Sequence, residues 1–368
     1  MNNHQPMIKF FRKIRQNLML ENKTSKYLAY ALGEIVLVMI GILLALQVNN
    51  WNEKTKSIAK ERVILSSLLK DFETNSNNLQ ASLSLYSAVI PSLDRKLKYI
   101  GRNSDEFDQQ IKDDIIAVPV WFPKLVNGTL NSLLYSDQLG IIQNNDIKKL
   151  LIDYPFDLDA NLALVEQFRL MLEEKHQPLV DSYVSLLDYS SIKKEYPEAS
   201  SNAKSSDYIG LLNDTRFQNL LIREKQLINR YINLTTEFLN RTNYIIDLIR
   251  VDLELPLKLE RLINSDKSID EVVEIIKQQD KDAPVYEISE EIINILGYKL
   301  MEDKKYNEAL KLFKLNTELY PDAWNTYDSY GECLLELGDK ENAKKAYQKS
   351  LELNPDNEYA IKALSELK

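Results

Sequence analysis

Residues 28–48 read LAYALGEIVLVMIGILLALQV, a run with one charge, Glu34, and one amide, Gln47. About 20 apolar residues cross a bilayer as a helix rising about 1.5 Å per residue. Tyr27, Tyr30 and Trp51 stand near the two ends, where interfacial aromatics sit. The alternative, a core helix of a soluble domain, fits poorly with a run this long and apolar on every side. The polar stretch before it is too long for a cleaved signal and ends in no A-x-A site, so the run reads as an uncleaved signal anchor. No second such run occurs between 52 and 368, which predicts a single pass.

Charge sets the orientation. Residues 1–26 hold six basic residues and one acidic, a net +5, on a chain of net −9; the remainder therefore carries −14. Lys54, Lys56, Lys60 and Arg62 follow the span. Six basic residues against four favour a cytoplasmic N-terminus, with the bulk of the chain on the far side. An acidic body repels phosphate backbones, so no nucleic acid is expected as a partner. Residues 7–20, MIKFFRKIRQNLML, suit an amphipathic helix on the lipid surface, or a basic tail that only sets topology. Ala29, Gly33, Gly41 and Ala45 form an i+4 stripe inside the span. Small residues at this spacing let two helices approach, which would make a homo-oligomer, or they simply face lipid. Glu34 lies near the N-terminal end, where it can snorkel or meet Lys26.

Composition then excludes most catalysis. Nine glycines in 368 residues is well below the usual share of about 7%. Dinucleotide and P-loop folds need Gly-rich turns, and no GxGxxG, GxxxxGK[ST] or GxSxG occurs. One cysteine, Cys333, and two histidines, His4 and His176, leave little for thiolate or imidazole chemistry. Ser67-Leu-Leu-Lys70 matches SxxK but lies in a heptad helix without SDN or KTG, and is read as chance. No catalytic residue, metal ligand or cofactor is assigned, and the chain is expected not to be an enzyme.

The expected fold class is all-α. Trp51, Ile58, Leu65, Phe72, Leu79, Tyr86, Leu93 and Ile100 recur every seven residues, with Leu69, Leu83, Ile90 and Leu97 four places on. Pro91 interrupts without shifting phase, which predicts a kink or tight break. A second pattern runs over 157–188 and a third from Asp214 to about Leu255, ended by Pro256. Short helices are expected at 105–116, 127–136 and 145–154, and a polar loop at 189–207. The simplest assembly is an extended up-down bundle. Helix one would leave the membrane, helix two return and helix three leave again, carrying the C-terminal part far from the bilayer. Pro119-Val-Trp121-Phe122-Pro123 reads as a plug for the bundle end, or as an exposed knob.

Beyond residue 286 a period of 34 emerges: Gly297 with Gly331, Ala309 with Ala343, Phe313 with Tyr347, Pro321 with Pro355. These residues and offsets resemble the tetratricopeptide repeat. The glycines let helix A meet helix B, the alanines tighten the crossing, and the aromatics fill the layer. Two repeats span about 290–357, residues 358–367 resemble a capping helix, and the helix expected at 268–280 would supply a third layer. Such repeats bind a protein or peptide in a groove. Asn294, Asn325 and Asp328 on the A helices are the candidate partner contacts; ordinary solvated surface is the alternative. Cys333 reads as a small buried residue.

The opening MIKFFRKIRQNLMLENKTSKYLAYALGEIVLVMIGILLALQVNNWNE, with LNSLLYSDQLGIIQNNDIKKLLIDY at 130–154, resembles an uncharacterised single-pass membrane family of Bacteroidota. That resemblance covers about 7–260. It implies a bacterial inner-membrane protein with a periplasmic helical domain, and no activity. The expected domains are a basic cytoplasmic tail (1–26), a transmembrane helix (27–50), a periplasmic bundle (51–264) and a repeat domain (265–368). The function expected is a membrane-anchored interaction scaffold that binds a protein or peptide beside membrane lipid. The alternative is a periplasmic sensor acting through a membrane partner.

Overall fold

The computed structural model describes residues 24–102, 107–116, 123–280 and 282–367. The amphipathic stretch 7–20, nearly all of the basic tail, and residues 119–122 of the proline-flanked loop lie outside the described residues. The described chain is all-α apart from two strands of two residues each.

Helix α1, Thr24–Lys98, is 75 residues long. None of its side chains between 32 and 50 is buried. This part is long and apolar enough to cross a membrane, or to act as a signal sequence. The helix continues through Pro91, so the expected break does not occur. A proline costs one backbone bond and a steric adjustment. Val89 and Leu93, both buried, clamp the turns on either side. The heptad face divides in two: Trp51 and Ile58 are exposed, whereas Leu65, Phe72, Leu79, Tyr86 and Leu93 are buried.

Two compact units emerge. Among the described residues, one comprises 24–65 with 133–143, the other those of 66–132 and 144–367. In the first, a 3₁₀ turn, Asp137–Ile141, leads to Gln143, whose backbone N–H donates to the Glu61 carboxylate.

The second unit holds the bundle and the repeats. After the short helices α2 (Gln109–Ile116) and α3 (Gly128–Leu134), helix α4 runs over Asn145–Met171. It passes through Pro155, so the expected short helix at 145–154 and the start of the next pattern are one element. A π-turn at Leu172–His176 follows, then α5 (Gln177–Tyr183), with Pro178 in its first turn. The polar 189–207 segment is not a plain loop, since it holds α6 (Ser190–Glu195) and α7 (Pro197–Ser201). Then come α8 (Tyr208–Asn213) and α9 (Thr215–Asp252), the latter capped by Asp214, which accepts from the N–H of Arg216.

Ring contacts fix the directions. Phe72 meets Tyr154 and Tyr86 meets Phe168, so α1 and α4 run parallel. Ser76 donates to Asn243 and Ser82 pairs with Tyr231, so α9 runs antiparallel to α1. The expected count, in which the second long helix returns, is therefore corrected. The short elements between Tyr99 and Asn144 make the return journey, and α9 comes back. The C-terminal module accordingly joins the bundle at its Glu73 end, not at the Lys98 end. The joint is Arg250, buried, which donates to Glu73 (2.8 Å), Glu287 (2.9 Å) and the carbonyl of Pro256 (2.6 Å). Beside it β1 (Leu257–Lys258) pairs in parallel with β2 (Tyr286–Glu287).

Past the joint lie α10 (Leu259–Ile263), α11 (Ile269–Gln278), α12 (Glu290–Glu302), α13 (Tyr306–Leu319), α14 (Trp324–Glu336), α15 (Lys340–Leu353) and α16 (Glu358–Glu366). α11 opens on a capping box, Ser268 with Glu271. Val272 and Ile276 of α11 share one core with Ile293 and Leu312, so α11 supplies the layer that two repeats lack.

Candidate functional site

The repeat pairs close by contact between ring and bare backbone. A Cβ placed on Gly297 would stand 2.5 Å from the Phe313 ring, and one on Gly331 would stand 3.2 Å from the Tyr347 ring. At Gly297 any side chain would force the ring to move, and at Gly331 the approach is tight. Ala309 and Ala343 are fully buried at the crossings. On the other side, α16 is pinned by Asn357, whose side chain caps that helix and donates to Asp328 (2.7 Å) and Ser350 (2.9 Å).

The A helices carry a polar ladder that links one repeat to the next. Asn325 donates to the Glu290 carboxylate, and Asn316 to the Glu290 carbonyl at 3.0 Å. The Tyr298 hydroxyl donates to Glu332 at 2.7 Å and lies 3.1 Å from the Ser329 hydroxyl. Of the three residues singled out in the sequence, Asn325 and Asp328 are thus tied into contacts between repeats, half-buried. Asn294 is half-buried on the same helix face, and its side-chain oxygen is buried without a hydrogen-bond partner. Burial pushes the Asp328 carboxyl above its ordinary range; Asn357 opposes this, and the Glu332 charge adds to it. Burial and the Glu332 and Asp328 charges also keep the Tyr298 phenol protonated to well beyond its usual range.

Tyr298 and Glu332 were not among the sequence candidates, yet they occupy equivalent places, 34 residues apart, as do Asn294 and Asp328. The repeat register alone would have found them. Cys333 is buried, its thiol 3.4 Å from the Tyr306 carbonyl and its pKa pushed up to about 11 by burial. It is not a nucleophile at neutral pH. Gly33, Gly41 and Ala45 are exposed, and nothing in the chain lies within 4 Å of a Cβ at either glycine. The side chain of Ala29 lies outside the described residues.

The bundle holds a second polar group. His176, at the end of the π-turn, contacts Glu224 of α9, both about 1% exposed. Lys96 is buried nearby; burial lowers its pKa, and the Glu224 charge acts against that. Among the described residues, no three His, Cys, Asp or Glu side chains gather as a metal site requires.

Comparison with known proteins follows this division. Residues 325–357 match the tetratricopeptide repeat family, and residues 34–113 match a family of unknown function, DUF6090. The protein CTR9 homolog of Arabidopsis thaliana is 27% identical over 206 residues, which cover 54% of this chain and 17% of that protein. The chain thus matches less than a fifth of that relative's length. Together with the repeat stack, these similarities support a protein-interaction scaffold and point to a non-catalytic role.

Proposed function

We propose that this protein is a membrane-anchored periplasmic adaptor that holds a partner protein or peptide in its repeat groove. The observation that carries the reading is a finished module. Two repeats are closed by α11 on one side and α16 on the other, and Asn294, Asn325 and Asp328 stay half-exposed on the A helices. The exposed apolar part of α1 serves as the anchor in the bacterial inner membrane, and the six basic residues before it keep the N-terminus in the cytoplasm. Trp51 and Ile58, exposed where the later heptad residues are buried, favour a second copy beside the first.

A double variant, Asn294→Ala with Asp328→Asn, which keeps an acceptor for Asn357, tests the groove in the full-length chain. Crosslinking in native membranes should lose the partner that the wild type captures, with the melting temperature of the module within a few degrees. Unchanged capture rules the groove out. Alkaline phosphatase fused after Lys368 should be active; activity confined to a cytoplasm-only reporter reverses the topology.

The sensor reading draws its support from the continuity of α1, one helix from the apolar segment into the bundle. It requires a membrane partner to carry the signal.

A further inference from the structure

An outer crease runs between α4–α5 and α9 of the bundle. Three hollows of about 500, 760 and 500 Å³ share their walls there, through Gln167, Gln226 and Arg230 at one junction and Lys175, Leu220 and Arg223 at the other. They form one groove from Ala160 to Ser182. At about 1.5 Å per residue that is roughly 33 Å, the length of a six-turn helix. Its floor is apolar, with Met171, Leu220 and Leu227, all partly or fully covered. Its wall on α9 is basic. Arg216, Arg223 and Arg230 recur every seven residues, and Lys175 faces them. Arg216 is held by Asp214. None of the ion pairs among the described residues involves Lys175, Arg223 or Arg230. Glu174 and Glu237 also line the groove, which leaves it net positive on a chain that is net −9.

We infer that this groove is a second docking surface, independent of the repeat module, for an acidic amphipathic helix of a partner protein. Arg223 and Arg230 are two turns apart, about 10.5 Å along α9. They match carboxylates seven residues apart on a helix laid in the crease, and the leucines take the apolar residues between them. A lipid headgroup would need the charges on an outward face. Here the arginines, though exposed, border an apolar floor with carboxamides, Gln167 and Gln226, along it, a pattern that suits a helix side rather than a headgroup layer.

The test uses the full-length chain in a nanodisc of neutral lipid. The probe is a fluorescent 21-residue helical peptide with two glutamates seven apart and leucines between; its control carries lysines in place of the glutamates. The acidic peptide should bind. Arg223→Glu with Arg230→Glu should weaken it at least about tenfold, as should a rise in salt. Arg223→Lys with Arg230→Lys should keep most of the affinity. If charge reversal lowers the melting temperature, Arg223→Gln with Arg230→Gln replaces it and should still weaken binding several-fold. Equal binding of the two peptides, no binding of either, or indifference to both arginine pairs overturns the inference. So does arginine-dependent binding to anionic vesicles without binding to the peptide.

Discussion

Along α4 and α9 the bundle core is threaded with polar side chains, whereas between α12 and α13 a phenylalanine ring rests on bare backbone. In the bundle, Asn75 donates to Tyr154 (3.2 Å) and to the Val126 carbonyl (2.8 Å), and accepts from the Val126 N–H (2.6 Å). Asn161 donates to Thr235 at 2.7 Å, Ser82 pairs with Tyr231, and His176 pairs with Glu224. Long helices with a plain heptad face can slide by a turn at small cost. A buried polar group has one satisfying partner, so each pair fixes the register. The repeats are short, and their register is set by shape, with the rings of Phe313 and Tyr347 against Gly297 and Gly331. In the bundle hydrogen bonds fix how long helices align; in the repeats steric fit closes each helix pair, and hydrogen bonds join one pair to the next.

Four substitutions test that contrast. Phe313→Ala should be the most damaging, at about 3–5 kcal/mol, because it empties the centre of the repeat core. Hydrogen exchange should rise across 290–366 and leave the bundle protected; a uniform rise would join the two regions into one cooperative unit. Glu224→Leu should cost about 3 kcal/mol by leaving His176 buried and alone. Replacing both with apolar residues should recover most of it in chemical denaturation, and a double variant no better than the single would deny the pair its role.

Tyr154→Phe should cost about 1 kcal/mol at neutral pH. It should also change the alkaline limb. Burial pushes the Tyr154 phenol up to about 12, above its ordinary 10.0. Between those values the unfolded chain has lost a proton that the native chain keeps, so stability falls as pH rises. The variant should show a shallower decline from pH 10 to 12, and an unchanged slope would refute the assignment. Ser268→Ala, which removes the exposed α11 cap, should be mildest, at about 0.5 kcal/mol by thermal melting.

The same contrast explains what could be read from the chain alone. The 34-residue register located Gly297, Phe313, Gly331 and Tyr347, because steric fit leaves its mark on residue type. The heptad identified which side of α1 is apolar from Leu65 to Leu93. It said nothing of what covers that side, and Trp51 and Ile58 carry the same pattern uncovered. Pro91 looked like a kink or break because a proline's local cost is visible in sequence and the packing that offsets it is not; α4 likewise runs on through Pro155. Tyr154 and Leu158, buried on either side of Pro155, hold that helix together. The real irregularity lies before Pro178, at the π-turn that brings His176 to Glu224. Those two residues are 48 apart with no intervening spacing signal. The candidate residues Asn294, Asn325 and Asp328 were legible as a helix face; the ties of Asn325 to Glu290 and of Asp328 to Asn357 depend on how successive repeats are rotated.

The parallel run of α1 and α4, with α9 returning between them, sets a timetable for synthesis. Ser82 meets its partner Tyr231 only after 149 more residues have been made. At ordinary elongation rates that is roughly 7–30 s. Throughout that interval the face from Leu65 to Leu93 waits uncovered, first for α4 and then for α9. A nascent chain in this condition is a substrate for holding chaperones, and truncations that end before α9 should aggregate rather than fold.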